Sequence, residues 1–103
     1  MPNKIEIIDY LKTLKPELKR DGIGAIGLFG SFANENADKY SDIDIAVRFE
    51  DDFLANRDAW AYFEVIEKLK NMLRNRFHTG CDVFDLNASS DIAKKVEKET
   101  CYV

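Results

Sequence analysis

The sequence predicts an α/β fold in which helices alternate with three to four short strands. Two observations carry that prediction. Stretches whose apolar residues recur every three or four positions alternate with short apolar runs. Turn residues punctuate those runs: Gly30 closes the first, Glu50-Asp51-Asp52 the second, and Gly80 opens the third. The chain has 103 residues, 46 % apolar and 33 % charged, which fits one globular domain spanning 1–103 that can bury a core without a staple.

Ile7, Ile8, Leu11, Leu14 and Leu18 fall on one face of an opening helix, and Pro16 should kink or restart it. Ala25 to Phe29 reads as a strand that breaks at Gly30 and hands over to a short helix opened by Ser31. The second strand spans about Ile43 to Phe49, and Glu50-Asp51-Asp52 marks a loop. A long helix follows from about Asn56 to Asn75. Trp60, Phe63, Ile66, Leu69 or Lys70, and Leu73 recur along it at helical spacing and are expected in the core. Gly80 opens the third strand, Cys81-Asp82-Val83-Phe84-Asp85-Leu86. The last helix runs from about Ser89 to Glu99 with Ser89 or Ser90 as N-cap, and Thr100 to Val103 form a short edge strand. No repeat, low-complexity tract or linker interrupts this order.

The chemistry lies between the first two strands. Gly30-Ser31 is followed, after ten residues, by Asp42-Ile43-Asp44. In extended backbone Asp42 and Asp44 project together while Ile43, Ile45 and Val47 turn the other way. Two carboxylates on one face suit a hard cation, and magnesium is usually held by one or two carboxylates plus substrate phosphates. Glycine lets backbone approach a ligand closely, and a strand-to-helix turn offers N–H groups to a phosphate. Ser31 adds a hydroxyl. Metal and triphosphate would then share one site.

Gly-Ser, ten residues, Asp-x-Asp, with apolar strands before and through the motif, resembles the nucleotidyltransferase superfamily related to DNA polymerase β. The likeness runs from Ile23 to about Val96 and is closest to the minimal nucleotidyltransferase (MNT) proteins, frequently antitoxin partners of HEPN-domain toxins. It implies the nucleotidyltransferase fold, a small mixed sheet flanked by helices. It also implies a third carboxylate from a later strand. Asp82 and Asp85 compete for that role, because three residues apart on a strand they face opposite ways. Comparison with the family's Val-Asp-Leu-like segment favours Asp82, as general base or second-metal ligand. By the same resemblance Asp42, Asp44 and Asp82 are the catalytic and metal residues, Gly30 and Ser31 the nucleotide-binding ones, with two magnesium ions and ATP as donor.

One departure bears on activity. Minimal members often continue Gly-Ser-x-Ala-Arg-Gly-Glu, whereas here Asn34 and Glu35 stand where Arg and Gly are expected. The change removes a phosphate-matching guanidinium and adds an anion. Weaker triphosphate binding, or a different donor geometry, is the expectation.

Elsewhere the sequence mostly excludes. A net charge of −4 makes the surface a poor general match for nucleic-acid backbone. No apolar run approaches the roughly 20 residues of a membrane span and no secretory leader is evident, so a cytoplasmic protein is expected. Cys81 and Cys101 lack metal-site spacing and read as buried thiols, and His78 reads as a turn residue. Arg48, two further positions along the Asp42–Asp44 face, is a nucleotide contact or a local counterion.

Three functions remain open. The first is transfer of AMP from ATP to a hydroxyl, by resemblance a tyrosine of a HEPN toxin encoded by an adjacent gene. The second is neutralisation of such a toxin by contact alone, and the third is a small-molecule transferase of the aminoglycoside type. Homo-oligomerisation is left open.

Overall fold

The computed structural model describes residues 1–56, 58–88 and 90–103. Helix α1, Lys4–Arg20, starts at a capping box: the Asn3 side chain accepts from the Glu6 backbone at 2.9 Å, and Glu6 accepts from the Asn3 backbone at 3.2 Å. It runs unbroken through Pro16, so the helix does not restart there. Pro16 is exposed, on the face opposite Leu11, Leu14 and Leu18, and so leaves the buried stripe intact.

Strand β1, Ile23–Phe29, leads into one helical turn, α2, Gly30–Ala33. Strand β2 is Ile43–Phe49; α3, Asp51–Asn56, makes a short helix of the segment expected to be a loop. Helix α4, Ala59–Phe77, starts on Asp58, whose side chain accepts from the Ala61 backbone at 2.9 Å, and ends at His78 with φ 54°. Strand β3, Cys81–Asp85, precedes α5, Asp91–Glu99, and the two-residue β4, Cys101–Tyr102. Ser90 caps α5 by accepting from the Ala93 backbone at 3.1 Å; the alternative cap, Ser89, lies outside the described residues.

The strands order β3-β2-β1-β4. β1 is antiparallel to β2 and to β4, and β3 is parallel to β2, so the sheet is mixed. Strand period divides its faces. Ile43, Ile45, Val47 and Phe49 pack with α1 and with Leu69, Leu73 and Phe77 of α4 in the main core. Ala46 faces the other way and meets Leu86 and Val96 of α5, with Phe29 and Phe84 against them. Asn87 closes the far end of the sheet, its side chain bonding both the N–H (2.8 Å) and the carbonyl (3.2 Å) of Phe49.

Helix α4 corrects the expected core list. Trp60 is 72 % and Phe63 62 % exposed, while Leu69, Leu73 and Phe77 are buried and Tyr62, Val65 and Ile66 partly so. The buried stripe is Tyr62, Val65, Ile66, Leu69, Leu73, Phe77. Trp60 and Phe63 lie on the far side of the helix. Cys101 is likewise only partly buried, whereas Cys81 is buried. Among the described residues no helix is long and apolar enough to cross a membrane.

Leu73→Ala should cost about 2–5 kcal/mol in chemical denaturation, because it opens a cavity between α4 and the sheet. Trp60→Ala should stay within about 0.5 kcal/mol of the parent, as an exposed position does. Equal losses would mean that the buried face of α4 is the one expected from sequence.

Candidate active site

Asp44 lies near the start of β2, paired with Phe29 of β1 on one side and Asp82 of β3 on the other. Side chains in register on neighbouring strands leave the sheet on the same face, so Asp44 and Asp82 stand together. That face is the one α5 covers further along, at Ala46 and Leu86, and the strand starts are left open. Asp42 is the last residue before β2. Its carboxylate lies against Gly80, the residue that opens β3, where a β-carbon would collide with it. The Ile43 N–H donates to the Gly80 carbonyl at 2.8 Å and fastens the two strand entrances together. Three carboxylates thus gather at one end of the sheet, with Asp42 and Asp82 exposed and Asp44 half-buried.

The charge state follows from that placement. Burial holds the Asp44 carboxyl above its ordinary value of 3.8, and the charges of Asp82 and then Asp42 push it the same way. Among the described residues no three His, Cys, Asp or Glu side chains are already gathered as a ready-made metal cage.

The Gly30-Ser31 turn abuts the same carboxylate. Gly30 has φ 76°, and a β-carbon there would run into the Asp44 carboxylate, whose Cγ lies 3.1 Å from the β-carbon position. Only glycine meets both conditions cheaply. Ser31 is half-buried at the head of α2, and its carbonyl accepts from the Asn36 N–H at 3.0 Å, curling the next segment back over the turn. Glu35, where the resemblance leads one to expect Gly, has φ 60°. The chain makes a left-handed turn there without the residue that suits it.

Other sequence candidates are placed away from this cluster. Asp85 ends β3 on the opposite face, where it accepts from the Tyr62 hydroxyl and the Asn87 N–H, each at 2.8 Å. Burial, then that bond, pushes the Tyr62 hydroxyl up to about 12. Arg48 reaches the Leu86 carbonyl at 3.3 Å and Glu97 at 3.4 Å, a counterion at the α5 end. Burial pushes the Cys81 thiol up to about 12, which keeps it protonated and unreactive. His78 is the left-handed cap of α4. The approach of Asp42 to Gly80 was not read from sequence, although an Asp ahead of one strand and a Gly ahead of its parallel neighbour are the residues a close entrance requires.

The profile of the polymerase β nucleotidyltransferases matches residues 6–102. The chain belongs to that nucleotidyltransferase family. A protein adenylyltransferase MntA of Thermococcus cleftensis is 35 % identical over 99 residues, covering 95 % of this chain and 93 % of the relative. A solved minimal nucleotidyltransferase superposes with TM-score 0.71 over 97 % of this chain and 95 % of its own, at 19 % identity, a likeness of fold. A chain of the solved complex of a tri-AMPylated Shewanella oneidensis HEPN toxin with an MNT antitoxin matches with TM-score 0.54 and 26 % identity over 88 % of this chain and 66 % of that one.

Asp44→Asn should raise the melting temperature of the metal-free nucleotidyltransferase at neutral pH. An acid whose folded value lies above its unfolded one binds its proton more tightly in the native state, so the ionised form weakens the fold. The gain should shrink as pH falls through the raised Asp44 value, where the parent carboxyl is itself neutral. A gain that is constant with pH would point to packing instead. Glu35→Gly should raise stability by up to about 1 kcal/mol, relief of left-handed strain offset in part by glycine's greater freedom when unfolded. A loss on denaturation would show that the Glu35 side chain contributes more than its backbone costs.

Proposed function

We propose that this chain is a magnesium-dependent adenylyltransferase that moves AMP from ATP to a hydroxyl, a tyrosine of a HEPN toxin, and so acts as an antitoxin. The observation that carries the reading is the in-register pair Asp44 and Asp82, with Asp42 beside it and the Gly30-Ser31 turn against it. The adenylyltransferase relative and the AMPylated toxin complex support the choice of AMP and of partner.

The donor set fits magnesium: all oxygen, anionic, and placed so that burial, and then the like charge of Asp82 and Asp42, raises the proton affinity of Asp44. Asp42, Asp44 and Asp82 would hold it. When bound, it supplies positive charge that offsets this repulsion and the charge of the transferring phosphoryl group. The turn at Gly30 admits phosphate oxygens close to backbone, and the Ser31 hydroxyl donates to one of them. Asp82, exposed at the rim, accepts the proton of the incoming hydroxyl. The hydroxyl oxygen bonds to the α-phosphorus, the bond from that phosphorus to the bridging oxygen breaks, and pyrophosphate leaves.

A second reading, neutralisation by contact, draws on two observations. Asn34 replaces the expected arginine, and α4 exposes two large aromatic side chains. Incubation with magnesium, α-labelled ATP and the HEPN protein encoded alongside separates the two. Transfer predicts label and added mass on the partner, falling by about 10²-fold or more in Asp42→Asn/Asp44→Asn. Label that persists in the double variant would overturn the assignment. Tight binding without label would leave the contact reading.

A further inference from the structure

Helix α4 has two different faces. One is occupied: Leu69, Leu73 and Phe77 are buried, and the Tyr62 hydroxyl is held by Asp85 at 2.8 Å. The other carries Trp60 and Phe63, 72 % and 62 % exposed, three residues apart and so neighbours on the helix surface. With Glu64 and Glu67 they line an apolar hollow of about 180 Å³. The helix is fixed by its other face, so this pair is held in water rather than frayed from the core. Aromatic pairs of this kind are the side chains on which protein contacts concentrate.

The acid rim narrows the occupant. A second copy offering the same aromatic face would bring Glu64 and Glu67 of both copies into one water-poor contact, where like charges are costly. A basic side chain answers the rim instead: a guanidinium lies well on an indole ring and pairs strongly with a carboxylate. Among the described residues Glu67 pairs with Lys70 of the same helix at 3.9 Å, a loose pair that a partner's arginine would outcompete.

We propose that the Trp60–Phe63 face of α4 is the surface that grips this chain's protein partner, and that the partner meets it with a basic segment. That segment sets an arginine or lysine against Glu64 and Glu67 and seats an adjoining apolar side chain in the hollow. The inference rests on the reading that the chain works on a partner protein, and it gives that protein a second point of hold. Tyr62, two residues beyond Trp60, is tied to the end of β3, whereas Asp82 is near its start. From Asp44 to Phe49, which Tyr62 also touches, β2 extends about 16 Å. The grip therefore lies apart from the carboxylates and leaves them open to the hydroxyl that the same partner brings.

The test is a titration of the purified HEPN protein encoded alongside into the parent chain, Trp60→Ala/Phe63→Ala and Glu64→Lys/Glu67→Lys, followed by calorimetry. Melting temperature and magnesium–ATP binding are measured on each. Both variants should bind the HEPN protein at least tenfold more weakly, with melting temperature and nucleotide binding unchanged. The charge-reversed variant should also lose the salt dependence of the parent complex. Parent-like affinity in both variants would overturn the inference while leaving the transferase reading intact. A defect that appears in sedimentation only as loss of a self-dimer would assign the face to a second copy and overturn it too. If the parent itself fails to bind the HEPN protein, the partner reading falls and this inference with it.

Discussion

Asp44 has a phenylalanine in register on one side and an aspartate on the other, so its carboxylate is both short of water and beside like charge. No chain would hold such groups together without a framework stiff enough to resist their separation. The framework is the three-strand core of the sheet, with Ile43, Ile45 and Val47 of β2 completely buried on the opposite face. Burial on one side of the strand holds anions on the other. The repulsion in turn makes this end of the sheet an attractive place for positive charge.

The neighbourhood of that end is built from residues whose roles are set by backbone rather than by side-chain chemistry. Gly30 and Gly80 each clear space for a carboxylate, Asp44 and Asp42 respectively. Glu35 shows the converse: it takes a left-handed turn without the residue that favours one. Asn34 is different, since the charge of the expected arginine has no backbone substitute. Turn geometry and side-chain charge are thus separable in this loop.

Much of this was legible in the sequence because strand alternation and turn residues are local signals. Gly30, Asp42 and Asp44 declare themselves by spacing, whereas period only puts Asp82 and Asp85 on opposite faces, and it took the strand register to set Asp82 beside Asp44. What escaped were choices between two local patterns of similar strength. On α4 the expected stripe of Trp60, Phe63, Ile66, Leu69 or Lys70, and Leu73 and the observed one of Tyr62, Val65, Ile66, Leu69, Leu73 and Phe77 coincide in the second half of the helix and part in the first, where the larger aromatics drew the assignment outward. The stripe that ends in the buried residues Leu69, Leu73 and Phe77 was the better signal. Pro16 was legible only in part: proline reports a missing N–H, but the helix continues through it, with the buried stripe of Leu11, Leu14 and Leu18 on the opposite face. The entrance at Asp42 and Gly80 depends on a parallel pairing that no local window contains.

That pairing has a consequence for the order in which the site comes together. β1 and β2 are joined by a short segment and can pair early, which brings Gly30, Ser31, Asp42 and Asp44 into place. β3 reaches β2 only after the chain from Phe49 to Cys81, including all of α4, has been folded back. Asp82 is therefore the last of the three carboxylates to arrive and, in local opening of the native state, the first that can leave. The Gly30-Ser31 turn can persist beside Asp44 through such an opening while the Asp82 carboxylate comes and goes, so the three-carboxylate end of the sheet is complete only while β3 is docked.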